Sequence, residues 1–450
     1  MKKIAIAAVL MLLAMVPLGR GEHLWSLFEQ ALYSEFSLGK GAAAWGMGGT
    51  ALALPGDPFV SSWNPAGLAD LTRPWLAFSF SADKLNNSPG ERHFSFPMYG
   101  RAAIGIIQER ASKASGQSVE FISMSLPLTI FRHRVVLQLS RRRQESFSAG
   151  LDYGYQYTYR TYYSFDYDYR YKLDGSGGFD LYALSLASEV VRGVRVGVNI
   201  QYWTNGFRST AEESYEYRLQ NYYGGDLAWR DDFSDSVDFR ISGFSLDAGI
   251  LVNLGTRIQA GLVFRSGCTA GLDFSNSASF RNGQTGLTSE NDVSGSGKIK
   301  LPPSVGMGFS YRPSRNTILA ADLGLTFWSK GRLLDYRRAS SGGAVPEPRD
   351  YAFPSMRLTE VIGQKDTLHF HGGMEHRFRM GAVELPLRFG LFLDEHYYFS
   401  DSGSAVKTFG YSLGFGFRWR QVALDAAWVK STSESRFGRD LLRASMAYGF

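Results

Sequence analysis

The chain has 450 residues, a formal net charge of +6, a single cysteine and a hydrophobic fraction of 44%, with Gly, Phe and Tyr all abundant. So modest a positive charge is no nucleic-acid footprint, and the lone Cys268 excludes an internal disulfide framework. Past the first residues, charged or small polar side chains interrupt every apolar run short of the roughly 20 residues a membrane helix needs, so the mature chain either dissolves in the periplasm or crosses a bilayer as strands.

Lys2 and Lys3, the apolar run from Ile4 to Leu18 and the small residues Gly19 and Gly21 predict a secretory signal peptide over residues 1–21. Cys268 lies far from this leader, so a lipoprotein anchor is not expected. Residues 22–73 follow without strand periodicity. Leu24, Leu27, Phe28, Ala31 and Leu32 recur at helical spacing and predict a short amphipathic helix over 23–36. Between 39 and 71 the sequence turns repeatedly around small residues: Gly46-Met47-Gly48-Gly49, Pro55-Gly56-Asp57, and Trp63-Asn64-Pro65-Ala66-Gly67-Leu68. The glycine run lacks the Lys and the spacing of a phosphate loop. Such a segment goes either into a barrel lumen as a plug or into the periplasm as a tail, and its apolar content favours burial.

Residues 74–450 read as an antiparallel transmembrane β-barrel. Two hairpins fit between 74 and 127. From about 128 onward short connections, near 191–193, 253–256, 312–316, 380–383 and 419–421, alternate with long ones at about 143–177, 204–240, 269–300, 329–366, 395–407 and 431–439. That is the asymmetry of periplasmic turns and extracellular loops. The count is sixteen strands, or fourteen if the weakly patterned stretches 75–82 and 92–97 do not both hold places. Either number leaves both termini on the periplasmic side.

Arginines fix which face meets lipid, because an Arg near the midplane of the lipid face costs about 2–4 kcal/mol. Arg134, Gln138 and Arg142 alternate with Val135, Leu137 and Leu139; Arg195, Gly197 and Asn199 alternate with Val194, Val196 and Val198. Arg257, Gln259 and Arg265 oppose Ile258, Leu262 and Phe264, Arg388 opposes Leu387 and Phe389, and Arg418 stands opposite Phe417 and Trp419. Arg134, Arg142, Arg195, Arg257, Arg388 and Arg418 are therefore expected to face a wet, basic lumen. Phe409, Tyr411, Leu413, Phe415, Phe417 and Trp419 form an outward row whose strand, tilted about 40°, spans roughly 28 Å. The chain ends on an equally alternating strand with Tyr448 and Phe450 on its apolar side. This terminal aromatic resembles the signal read by outer-membrane assembly machinery.

Tyrosines crowd residues 152–173, where Asp166, Asp168, Arg170 and Lys172 alternate with Phe165, Tyr167, Tyr169 and Tyr171. A protruding hairpin with girdle tyrosines at its base explains this; an aromatic landing surface for apolar or sugar ligands is the functional alternative. His369 and His371 share a strand face, but His376 falls opposite and His396 in a loop, which leaves too few ligands for a metal. No serine sits in a Gly-x-Ser-x-Gly elbow, so no catalytic residue is assigned and the chain is not read as an enzyme. No cofactor is expected.

The run Gly41-Ala-Ala-Ala-Trp-Gly-Met-Gly-Gly-Thr-Ala-Leu-Ala53 and the following Ser62-Trp63-Asn64-Pro65-Ala66-Gly67-Leu68 resemble the N-terminal hatch of the FadL-type outer-membrane transporters of long-chain fatty acids and aromatic hydrocarbons. Gly243-Phe-Ser-Leu-Asp-Ala-Gly-Ile, Val263-Phe-Arg-Ser-Gly, Leu301-Pro-Pro-Ser-Val-Gly-Met-Gly and Asp322-Leu-Gly-Leu-Thr-Phe-Trp-Ser resemble strand motifs of the same family. The resemblance implies a barrel plugged by residues 22–73, a pocket for a small hydrophobic ligand near that hatch, gating by Asn64, Pro65, Ala66 and Gly67, and passive uptake across the outer membrane of a Gram-negative-type bacterium. It implies a monomer whose partners are outer-membrane lipid, the ligand and the assembly machinery. Two features depart from the family: an extra N-terminal hairpin beyond its fourteen strands, and the Tyr-rich loop. A sister group with a similar hatch includes the shuttle barrel of type IX secretion, so a scaffold or shuttle for secreted protein cargo is the alternative reading.

Overall fold

Alternation with a period of two dominates the chain, and in the computed structural model that alternation becomes strands. Residues 39–340 and 365–450 are described, apart from short breaks at 88–90, 99–100, 110–112, 131–132, 147–148, 161–163, 223–224, 400–404 and 434–436. The expected signal peptide over 1–21 and the helix over 23–36 lie outside the described residues. Among the described residues no helix is long and apolar enough to cross a membrane.

Antiparallel pairs run from Trp75–Asn87 through Lys113–Ile130, His133–Ser146, Ser164–Val191, Val194–Thr204, Gly225–Asn253 and Ile258–Arg265. They continue through Ser304–Tyr311, Thr317–Thr326, Thr367–Met380, Val383–Phe399, Ala405–Trp419, Val422–Ser433 and Phe437–Gly449, and the last strand pairs with the first. The ring is closed and has fourteen strands. Of the expected fourteen to sixteen strands, the ring takes the lower number. The hairpin Glu91–Met98/Arg101–Glu109, which includes the weakly patterned 92–97, pairs with Ala149–Arg160 and not with ring neighbours. Residues 75–82, read as weakly patterned, do hold a ring position within Trp75–Asn87. Closure matters physically, because a ring leaves no unpaired backbone edge to be buried in lipid.

At one end of the ring the connections are tight. Gly193 and Gly381 turn there with φ of 84° and 61°, a region that glycine enters without steric cost. At the other end the strands run on. Ala149–Arg160, Gly206–Tyr222, Cys268–Arg281 and Thr288–Leu301 pair with the upper halves of ring strands or with one another and extend the wall. His396, expected in a loop, belongs to the strand Val383–Phe399.

The outward register is greasy from strand to strand: Leu139, Leu184, Ile200, Phe244, Leu262, Met307, Phe370, Leu413 and Met446 are all exposed. Side chains one residue away on the same strands, among them Gln138, Ser185, Asn199, Ser412 and Ser445, are buried. A water-soluble barrel would reverse this arrangement; here the outside is apolar and the inside carries the polar groups, as a lipid-embedded barrel requires.

Candidate functional site

Residues 39–73 make no ring strand. They fold as a helical turn Ala42–Gly46 and two 3-10 turns, Val60–Ser62 and Pro65–Asp70, and their side chains are largely buried. Their partners come from inward-facing positions all round the wall, so the segment lies within the ring. The wall side chains bind its backbone. Gln138 donates to Pro58 O at 2.8 Å, Asn199 to Ser61 O at 2.9 Å, Arg142 to Ser62 O at 3.0 Å and Arg265 to Trp63 O at 2.8 Å. On the opposite side Asp322 accepts from the amides of Ala51 and Leu52 at 2.7 and 2.9 Å. Ser412 accepts from Gly48 N at 2.9 Å, and His371 Nδ1 meets Gly48 O. A buried backbone group without a partner costs about 1–3 kcal/mol, so these bonds hold a segment that has little secondary structure to satisfy itself.

Asn64 is the joint of this arrangement. Pro65 sets the first position of the turn Pro65–Asp70 and biases Asn64 to extended backbone, observed at φ −143° and ψ 109°. That conformation lets the Asn64 Oδ1 cap the turn by accepting from Ala66 N at 3.1 Å. Its Nδ2 donates to Leu52 O at 2.9 Å within the segment and to Ile250 O at 3.2 Å in the wall. One buried amide thus ties two stretches of the segment to each other and to the strand Gly225–Asn253. Wall glycines make room for it: a Cβ on Gly249 would overlap Asn64 Oδ1, and one on Gly390 would overlap Gly48 N.

The six arginines expected in the lumen are placed as follows. Arg134 donates to Ala69 O at 2.9 Å and Arg142 binds Ser62 O. Arg195 pairs with Asp70 at 2.5 Å, Arg388 bridges Glu375 and Asp425 at 2.6 and 2.8 Å, and Arg418 joins the same Asp425 at 2.8 Å. Arg257 is exposed in the turn before Ile258–Arg265, and Gln259 takes the buried position on that strand. Pro65, Ala66 and Gly67 are buried in the 3-10 turn. Tyr448 and Phe450 are exposed on the outward side, with Phe450 N donating to Pro74 O at 3.1 Å. His369 and His371 both contact Asp394 Oδ1, at 2.9 and 3.0 Å. Among the described residues no group of three or more potential ligands is placed to hold a metal.

Sequence reading missed Asp322, Asn199, Gln138 and Ser412 as contacts of the segment. Their signal was present: each is a polar residue at an inward position, and Gln138, Asn199 and Ser412 are in phase with an arginine of the same strand.

Two further regions adjoin the segment. Toward the tight turns lies a cavity of about 470 Å³, lined by Met47, Leu54 and Phe59 of the segment and by Arg388, Arg418 and Trp419 of the wall. Toward the long excursions the inward face becomes apolar. Phe179, Leu181, Trp203, Phe207, Phe239 and Phe274 belong to one buried cluster there. The same face continues into aromatic rows on the extended wall. Tyr157, Tyr167, Tyr217 and Trp229 lie opposite one another on successive strands, and Tyr217 stacks on Trp229 at 4.7 Å. The charged residues of the hairpin, such as Arg170 and Lys172, take the other face and are exposed. Among the described residues, the rings of Tyr157, Tyr167, Tyr169 and Tyr171 therefore lie on the inward face of the Tyr-rich hairpin.

A scan of protein-family models and a search of curated proteins find no match. Solved structures do match in fold. The CymD monoaromatic hydrocarbon channel is 14% identical, with 92% of this chain and 98% of that chain aligned at a TM-score of 0.52. A Pseudomonas aeruginosa FadL homologue is 11% identical over 92% and 98% of the two chains, also at 0.52. The deltaS2 mutant of the TodX monoaromatic hydrocarbon channel is 14% identical over 91% and 99%, at 0.51. The chain thus has the fourteen-stranded barrel fold of these FadL-type channels, over almost the whole length of each.

Proposed function

We propose that this chain is a passive outer-membrane channel for small hydrophobic compounds, with residues 39–73 as its hatch. The observation that carries the reading is the apolar inward face from Phe179 to Phe274 above a segment held by hydrogen bonds. A pore for hydrophilic solutes lines its lumen with polar groups; rings and aliphatic side chains instead offer dispersion contacts and exclude water. The fold shared with channels described as carrying monoaromatic hydrocarbons supports the same class of cargo.

In this mechanism a long-chain fatty acid or an aromatic hydrocarbon leaves the outside medium for the aromatic face of the extended wall. It moves down the apolar lining and reaches the hatch. Loosening of the bonds at Asn64 and Asp322 opens a way past Trp63 to the 470 Å³ cavity near the tight turns. The concentration gradient drives passage, and no residue does chemistry on the cargo.

The test is uptake by vesicles reconstituted with the full mature chain, using a labelled long-chain fatty acid, toluene and a hydrophilic disaccharide. Faster entry of either hydrophobic compound, with the disaccharide unaffected, is expected. Equal entry of all three with and without the protein would remove the transport reading and favour a role in handling secreted protein cargo.

A further inference from the structure

The outward face changes character abruptly at the long-excursion end. One step along the outward register takes Leu139 to Arg141, Tyr182 to Asp180, Leu393 to Glu395 and Phe409 to Lys407. Charges at this border are grouped in a repeated way. Asp180 holds Arg141 and Arg143, both at 2.7 Å. Asp238 holds Arg208 at 2.7 Å and Arg240 at 3.2 Å. Glu395 holds Lys365 at 3.2 Å and Lys407 at 3.6 Å. Each cluster has two cations around one carboxylate; beside the second, Asp273 stands opposite Arg240 on the next strand.

The three clusters stand on separate parts of the ring: beside His133–Ser146, beside Gly225–Asn253, and across Val383–Phe399. Arg240 lies past Phe244 on the outward register by about 10 Å of rise, which is headgroup depth beyond an apolar core. Arg208 and Arg240 are 65% and 70% exposed in their side chains; Arg208 gives Nε and Nη2 to Asp238 and Arg240 gives Nε, which leaves Nη1 of both and Nη2 of Arg240 uncommitted to that carboxylate. A carboxylate that orients two cations without neutralising both leaves donors for an anion: the remaining guanidinium N–H groups at Asp180 and Asp238, and ammonium point charges at Glu395. The opposite border differs. There the outward register ends on Trp419, Tyr448 and Phe450, and Arg379 is paired one to one with Glu384 at 3.0 Å.

We propose that the clusters at Asp180, Asp238 and Glu395 are docking sites for the phosphate groups of lipids in the leaflet that surrounds the long-excursion end. The occupant is fixed by charge complementarity and by continuity with the lipid-facing belt directly below each cluster. The proposal rests on the barrel spanning a bilayer and is independent of what the channel carries.

The test compares retention of a bis-phosphorylated glycolipid and of its dephosphorylated form by the folded full chain, read by native mass spectrometry after mild detergent extraction. The wild type is expected to retain the phosphorylated form preferentially. Arg240→Gln and Lys407→Gln act at separate clusters and are each expected to weaken that retention about fivefold, the effect of one cation near an anionic surface. Arg240→Lys should keep most of it. All comparisons use the heat-modifiable folded fraction, and Lys407→Gln stands in if Arg240→Gln does not fold. Equal retention of the two glycolipids by the wild type, or unchanged retention by the folded Gln variants, would overturn the proposal.

Discussion

The lumen has two halves built on opposite principles. Near the tight turns the wall presents Gln138, Asn199, Asp322 and Ser412 and binds the inner segment through its backbone. Near the long excursions it presents Phe207, Phe239 and Trp203, which pack among themselves. Directional bonds select one placement of a segment that has little regular structure, and each can be exchanged for another at small net cost. Apolar packing has no such direction and tolerates a range of shapes. In the proposed channel a hatch needs the first property and a lining for varied hydrophobic cargo needs the second, so the division is what that proposal rests on.

The largest effect is expected where the lower half has no spare room. Gly249→Val pushes a branched side chain into Asn64 and should destabilise the folded barrel by about 1–3 kcal/mol or more, read as a lower temperature for loss of the heat-modifiable band. A Val tolerated at Gly249 would mean that the segment does not sit against this strand. Asp322→Ala follows. It orphans the amides of Ala51 and Leu52, at about 1–3 kcal/mol for a buried unsatisfied group. The cost should fall on the segment more than on the ring. Labelling of a cysteine placed at Trp63 should speed up while the heat-modifiable band persists; protection equal to that of wild type would contradict the pinning role.

In the upper half Phe239→Leu keeps the apolar character and should cost under about 1.5 kcal/mol. Its effect should be on the relative rates for aromatic and aliphatic cargo. If Phe239→Leu destabilised the barrel as much as Gly249→Val, the contrast between the halves would fail.

The smallest effect concerns Glu213 on the extended wall outside the ring. Burial raises its carboxyl above the ordinary range, against the lowering pull of the Tyr215 and Tyr169 hydroxyls that donate to it. A raised acid contributes stability at low pH and loses it as pH rises through the shifted value. Protection factors for amide exchange in Gly206–Tyr222, referred to the intrinsic rate at each pH, should therefore be larger near pH 4 than near pH 7, and Glu213→Gln should flatten that dependence. An unchanged pH profile in the variant would remove Glu213 as its source.

The inward register was legible in the sequence, but the apolar upper half was not, because the lumen was expected to be wet and basic throughout. Arginines in phase with Gln138, Gly197 and Gln259 identified the inward register, because the alternative would bury charge in lipid. Pro65, which biases the residue before it to extended backbone, accounts for the extended Asn64 that caps the turn. The strand count was not legible, because the weakly patterned 92–97 carries no local mark of whether its strand belongs to the ring or to the pairs beyond it. Nor were the partners of the segment: Asp322 and Ala51 are 271 residues apart, and only closure of the ring brings them together. Tyrosines at 155–171 could be recognised as a hairpin, but which face they took depended on pairing with Gly206–Tyr222, a long-range event with no local signature.

The most direct measurement is the uptake rate of a panel of long-chain fatty acids and aromatic hydrocarbons by vesicles carrying Asn64→Ala, matched with wild type for folded protein. Loss of the amide that joins Leu52, Ala66 and Ile250 should alter the rate for at least one hydrophobic compound while the disaccharide stays excluded. Wild-type rates across the whole panel would contradict a hatch held at Asn64.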